Sequence, residues 1–100
     1  ADTVATMALE VTRNDAELRY EAELNGTPAG LIRFTVADDV ITMAHTEVDP
    51  QFEGEGVGSE LVKQALDDVR SRGERVVPSC PFVRAYIERH AEYADLVSDD

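Results

Sequence analysis

Between Asp49 and Gly58 the chain changes its hydrophobic period, and this restricts it to a strand-rich first half and a helical second half. Upstream, residues 40–48 form the last of several strand-like apolar runs that follow one another closely. Downstream, Val57, Leu61, Ala65, Leu66 and Val69 recur at helical spacing, with Glu60, Lys63, Asp67 and Arg70 on the opposite side. The switch itself is Glu53-Gly54-Glu55-Gly56-Val57-Gly58, with three glycines in five residues. A plain strand-to-helix connection needs fewer. Glycines let the backbone turn tightly and let a bulky anion come close, and unpaired amides at a helix start attract such an anion. The segment therefore suits a phosphate or pyrophosphate.

The strands follow from turn chemistry. Residues 6–13 and 17–24 read as strands separated by Asn14-Asp15, and Asn25-Gly26 is a strong hairpin signal. Residues 29–36 form the next strand, and Asp38-Asp39 turns the chain into residues 40–48. Connections this short imply an antiparallel meander. The helix of residues 57–72 stops at Gly73. Residues 75–77 make a short strand, and Ser79 and Pro81 open a last helix whose apolar stripe is Phe82, Val83, Tyr86 and Ile87. The strand-helix-strand unit over residues 40–77 should make its two strands parallel. The expected fold class is α+β, a mixed α/β layer: a meander, then strand, helix, strand, helix, with the helices packed on the sheet.

One hundred residues form one domain over 1–100, with residues 1–3 and 98–100 frayed. Cys80 is the only cysteine, which excludes an internal disulfide and points to a reducing, cytoplasmic compartment. No apolar run approaches the roughly 18 residues of a membrane helix, and Ala1-Asp2-Thr3 lacks the basic and apolar regions of a secretion signal. The chain carries 21 acidic against 9 basic residues, a net charge of -12. Such a surface repels nucleic acid and anionic membrane, so neither is an expected partner. Acidic residues spread along the chain, with a single lysine, fit adaptation to high salt and equally fit an acidic protein of a GC-rich genome. No metal-ligand spacing is present.

The glycine turn does not match two common phosphate sites. A P-loop needs Lys and Ser or Thr after its last glycine, where this chain has Ser59-Glu60. A dinucleotide fold needs a repeated βαβ array, and only one unit exists here. Gly-x-Gly followed by a further glycine, opening a central helix after a meander, resembles the GNAT N-acetyltransferase superfamily. The resemblance extends to its very short, cysteine-bearing members through His45-Thr46-Glu47-Val48, residues 52–58 and residues 78–87, and covers residues 18–97. It implies a truncated acyl-coenzyme A fold, acetyl-coenzyme A as cosubstrate and an amine acceptor of unknown identity. It further implies that amides of Val57, Gly58 and their neighbours grip the pyrophosphate, and that the end of strand 40–48 runs beside the pantetheine arm. The cofactor-binding residues expected are Val48, Phe52, Glu53, Gly54, Glu55, Gly56, Val57, Gly58, Ser59 and, on the last helix, Arg84. Glu53 stands where that superfamily usually has Gln or Arg, and Glu55 adds a second negative charge beside a polyanion. Coulomb repulsion there should fade as salt rises.

Four residues are candidates for catalysis. Cys80 falls between a strand and a helix start, where the dipole favours the thiolate that attacks a thioester; it equally suits a small buried position under Phe82. By alternation, His45 and Glu47 share a strand face with Ile41 and Met43 and could deprotonate an ammonium acceptor; His45 also reads as a hydrogen-bonded structural histidine. Tyr86 is a core aromatic or, as the resemblance implies, an acid for the departing coenzyme A thiolate. The competing reading is a module that binds acyl-coenzyme A without turning it over.

Overall fold

In the computed structural model, which describes residues 9–98, five strands form one sheet in the order β1-β2-β3-β4-β5. They are β1 (Leu9–Asn14), β2 (Arg19–Leu24), β3 (Thr27–Ala37), β4 (Val40–Val48) and β5 (Arg75–Pro78). The first four pair antiparallel, and β5 joins β4 in parallel. Helix α1 (Val57–Ser71) connects β4 to β5, and α2 (Pro81–Arg89) follows β5. One-turn 3-10 segments at Pro50–Phe52 and a longer one at Ala91–Leu96 complete the chain. The expected mixed layer is present. Residues 6–8 of the expected first strand, and residues 1–3, 99 and 100 of the expected frayed ends, lie outside the described residues.

Local chemistry sets the boundaries. Asn25 and Gly26 both take positive φ, 53° and 83°, and Asp38 and Asp39 do the same at 50° and 67°, giving two tight hairpins. Residues 17 and 18, expected in the second strand, belong instead to the preceding turn. The Asn14 side-chain oxygen accepts from the Glu17 amide at 3.0 Å, and Leu18 takes a φ of 57°. Helix α1 ends in a Schellman turn: Gly73, at a φ of 72°, donates to the Arg70 carbonyl, and Glu74 donates to Val69.

One side of the sheet carries the core. Tyr20, Ala22, Ile32, Phe34, Ile41, Met43 and Val76 pack there against Leu61, Val62, Ala65, Leu66 and Val69 of α1 and Val83, Tyr86 and Ile87 of α2. Phe82, expected in the α2 stripe, is 40% exposed, because its side of the helix opens at the glycine turn. On the other side of the sheet, no residue from Glu10 across to Arg75 is buried. Among the described residues, no helix is long and apolar enough to cross a membrane.

Strand β4 changes face midway. Arg33 pairs with His45 and Phe34 with Met43, so Ala44 is one residue too many and forms a bulge. Before it, the odd-numbered Ile41 and Met43 are in the core. After it, the even-numbered Thr46 and Val48 turn inward opposite Ile32 and Gly30. His45 and Glu47 therefore lie on the bare face, opposite to Ile41 and Met43, which corrects the simple alternation.

Candidate active site

Strands β4 and β5 run together only over Val40–Met43 and Arg75–Pro78. The Cys80 amide makes the last link, donating to the Met43 carbonyl at 2.9 Å, and β5 then gives way to α2 while β4 continues to Val48. A gap opens there. At its outer end lies the glycine turn.

The turn is held by Gly54 and Gly56, both at a φ of 84°, in the left-handed region that side chains avoid. Gly56 is the N-cap of α1 and has no side chain to cap it. Its carbonyl accepts the first helical bond, from Glu60 at 3.1 Å, which leaves the N–H groups of Val57, Gly58 and Ser59 at the helix mouth. They border a cavity of about 230 Å³. Glu53, Gly54 and Gly56 line its polar side, and Val48, Phe52 and Phe82 its apolar side. Gly58 lets Phe82 lie close to α1: a Cβ at residue 58 would sit 2.9 Å from the ring. Glu55 and Arg84, also expected at this site, are not among the lining residues. The Arg84 guanidinium instead donates to the Ser79 carbonyl at 3.5 Å.

Cys80 is the N-cap of α2 and only 5% exposed. Its sulfur lies 3.4 Å from the Thr46 hydroxyl. Burial alone would push the thiol up. The Thr46 hydroxyl, with the N–H groups of Val83 and Phe82 at the helix start, outweighs burial and holds it below the usual thiol range. Thr46 was not legible as its partner, because only the bulge at Ala44 turns it inward. Phe82 was likewise missed as a cavity wall, since its spacing alone reads as core.

His45 and Glu47 come together, Nε2 to Oε2 at 3.1 Å, and both side chains are more than half exposed. Tyr86 stands with a different group. Its ring stacks on His90 at 3.9 Å and lies beside Tyr93. Burial pushes its hydroxyl up, and the charges acting on it most are those of Lys63, Glu92, Glu60 and Asp67.

Known proteins resemble this chain in sequence and fold. The model of one family, described as GCN5-related N-acetyl-transferase, matches residues 19–96. An uncharacterised N-acetyltransferase of Methanocaldococcus jannaschii is 29% identical over 75 residues, covering 65% of this chain and 32% of that protein. The chain thus spans under a third of that relative's length. A GCN5-like protein of Staphylococcus aureus superposes with a TM-score of 0.67 at 24% identity, over 90% of this chain and 88% of that one. A GNAT family acetyltransferase of Brucella melitensis, solved in complex with acetyl-CoA, superposes with a TM-score of 0.54 at 23% identity, over 72% and 54% of the two chains. These two structural likenesses are of fold.

Proposed function

The chain belongs to the GCN5-related N-acetyltransferase family, and on that footing we propose that it moves an acetyl group from acetyl-coenzyme A to an amine, directly or through Cys80. The observation that carries this reading is the cavity on the uncapped start of α1. The amides of Val57, Gly58 and Ser59 supply donors and the positive end of the helix dipole for a pyrophosphate. The walls of Val48, Phe52 and Phe82 suit an apolar arm, which inorganic phosphate lacks. Bound there, acetyl-coenzyme A supplies an acetyl thioester, an acyl donor that reacts with a nucleophile and releases a thiol.

The chain's own residues divide the remaining work. Glu47, hydrogen-bonded to His45, accepts a proton from the ammonium acceptor and leaves a free amine to attack. In the covalent route, Cys80 bonds to the acetyl carbon as the bond from that carbon to coenzyme A breaks; the amine then displaces Cys80. Its lowered pKa supports this route. In the direct route, the amine attacks the thioester itself and Cys80 lines the gap, which its low exposure favours.

Acetyl-coenzyme A should raise the melting point and shift the NMR signals of residues 52–59. Failure of both would remove the cofactor site. Steady release of coenzyme A with a panel of amines, and none without amine, excludes a sensor that only binds. Intact mass after incubation with the cofactor, in wild type and Cys80→Ala, separates the two routes.

A further inference from the structure

The bare face of the sheet carries two adjacent cross-strand rows of opposite character. Asn14, Arg19, Arg33 and His45 are direct neighbours across β1 to β4 in one row. Thr12, Glu21, Leu31 and Glu47 are neighbours in the next. Within these rows Arg19 pairs with Glu21 at 2.5 Å and His45 with Glu47 at 3.1 Å. Arg33 is different. It is exposed, its cross-strand neighbours are Arg19 and His45, and no carboxylate of the described residues lies within ion-pair distance of it. In a chain with 21 acidic residues, that leaves a guanidinium facing solvent directly across from that of Arg19. Opposed like charges across strands destabilise a sheet, so they need a reason.

Leu31 rises between two depressions. One, of about 280 Å³, is bounded by Leu31 and Glu47; the other, of about 210 Å³, by Leu31, Glu21 and Arg19. Arg33 is two residues along β3 from Leu31, and Glu47 is directly across from Leu31. A carboxylate acceptor, an ammonium acceptor and an apolar contact are thus presented within two residue steps, about 7 Å along the strand.

Resting on the acetyl-transfer reading above, we infer that the acceptor is a free α-amino acid that docks on this bare face. Its carboxylate meets Arg33, its ammonium meets Glu47 and its side chain lies over Leu31. The complementarity is specific: a simple amine leaves Arg33 unanswered, and a dicarboxylate meets Glu47 with like charge. Arg33 is then a specificity residue, and Glu47 both holds the ammonium and takes its proton.

Coenzyme A release should be measured with free amino acids, their carboxamides and the matching decarboxylated amines, with acetyl-coenzyme A binding followed separately by calorimetry. The free acids should have a KM at least about tenfold below the carboxamides, the scale of one charge-assisted contact. Arg33→Ala should remove that difference by raising KM for the acids while leaving kcat and the KM of the amines in place, and Arg33→Lys should restore part of it. Equal KM values for acid and carboxamide, an Arg33→Ala effect common to both, or acetyl-coenzyme A binding with no amino acid acetylated would each overturn the inference. Absence of acetyl-coenzyme A binding would instead overturn the reading beneath it.

Discussion

Phe82 lies across Gly58, so that a Cβ on residue 58 would stand 2.9 Å from the ring's Cζ and 3.3 Å from Val48 Cγ2. Phe82 is 40% exposed, so its ring can yield by a few tenths of an ångström. Gly58→Ala should therefore fold nearly as stably as wild type but bind acetyl-coenzyme A about tenfold more weakly, because the cavity wall has moved. Gly58→Val should lose about 1–3 kcal/mol to overpacking and lose binding altogether. Denaturant titration and calorimetry check the two effects separately. Undiminished affinity in Gly58→Val would take this wall out of the site.

Cys80 should titrate early. Its alkylation by iodoacetamide follows the thiolate, so the midpoint of rate against pH should lie below the roughly 8.5 of an ordinary thiol. A lowered pKa means the charged form appears at lower pH. Thr46→Val removes the hydroxyl at 3.4 Å and should move the midpoint upward. Low exposure slows the reaction at every pH, so the midpoint, not the rate, is the quantity to compare. A midpoint at or above that of free cysteine contradicts the assignment.

Glu53 borders the cavity proposed for a pyrophosphate. Two like charges at such range repel in dilute buffer, whereas at 1 M salt the screening length is only about 3 Å. Acetyl-coenzyme A affinity should rise from dilute buffer to molar KCl, and Glu53→Gln should flatten the dependence. Affinity that falls steadily with salt in wild type would show that amide–phosphate attraction outweighs the carboxylate.

Arg13 supports the far end of the sheet. Its side chain is 5% exposed, bonded to Glu74 at 2.7 Å and Asp15 at 2.8 Å, with the rings of Phe34 and Tyr20 at 5.0 and 5.8 Å. Arg13→Met strands Glu74, itself 12% exposed, and should cost about 3 kcal/mol. The double variant Arg13→Met with Glu74→Leu should recover most of that loss, since the stranded carboxylate goes with its partner. Two single costs that simply add would show that the pair is not coupled.

Much of this architecture is readable from local chemistry. Strand β4 keeps the bounds its apolar run suggests, and Gly73 ends α1 because only a left-handed residue completes the Schellman turn there. The glycine turn announces itself by composition. What escapes is whatever depends on register. Nothing in Met43-Ala44-His45 marks a bulge, since alanine fits any backbone there and the surplus residue exists only relative to β3. Thr46 as the partner of Cys80, the placing of His45 and Glu47 on the bare face, and the row that isolates Arg33 all follow from that one cross-strand fact. Phe82 escapes for another reason: helical spacing records which residues share a stripe, not where the stripe runs off the edge of the core.

The surplus residue at Ala44 also gives the gap two doors. A flat group lodged there has two sides, and β4 offers Thr46 toward the helices and the His45–Glu47 pair toward open solvent. Pairing Ala44 with Arg33 in an unbroken ladder would swap these tenants, forcing an imidazole and a carboxylate against Ile32 and Gly30 and turning Thr46 and Val48 outward. On the proposed reading, the bulge lets a cofactor held at the glycine turn and an acceptor docked on the bare sheet approach β4 from its two different sides.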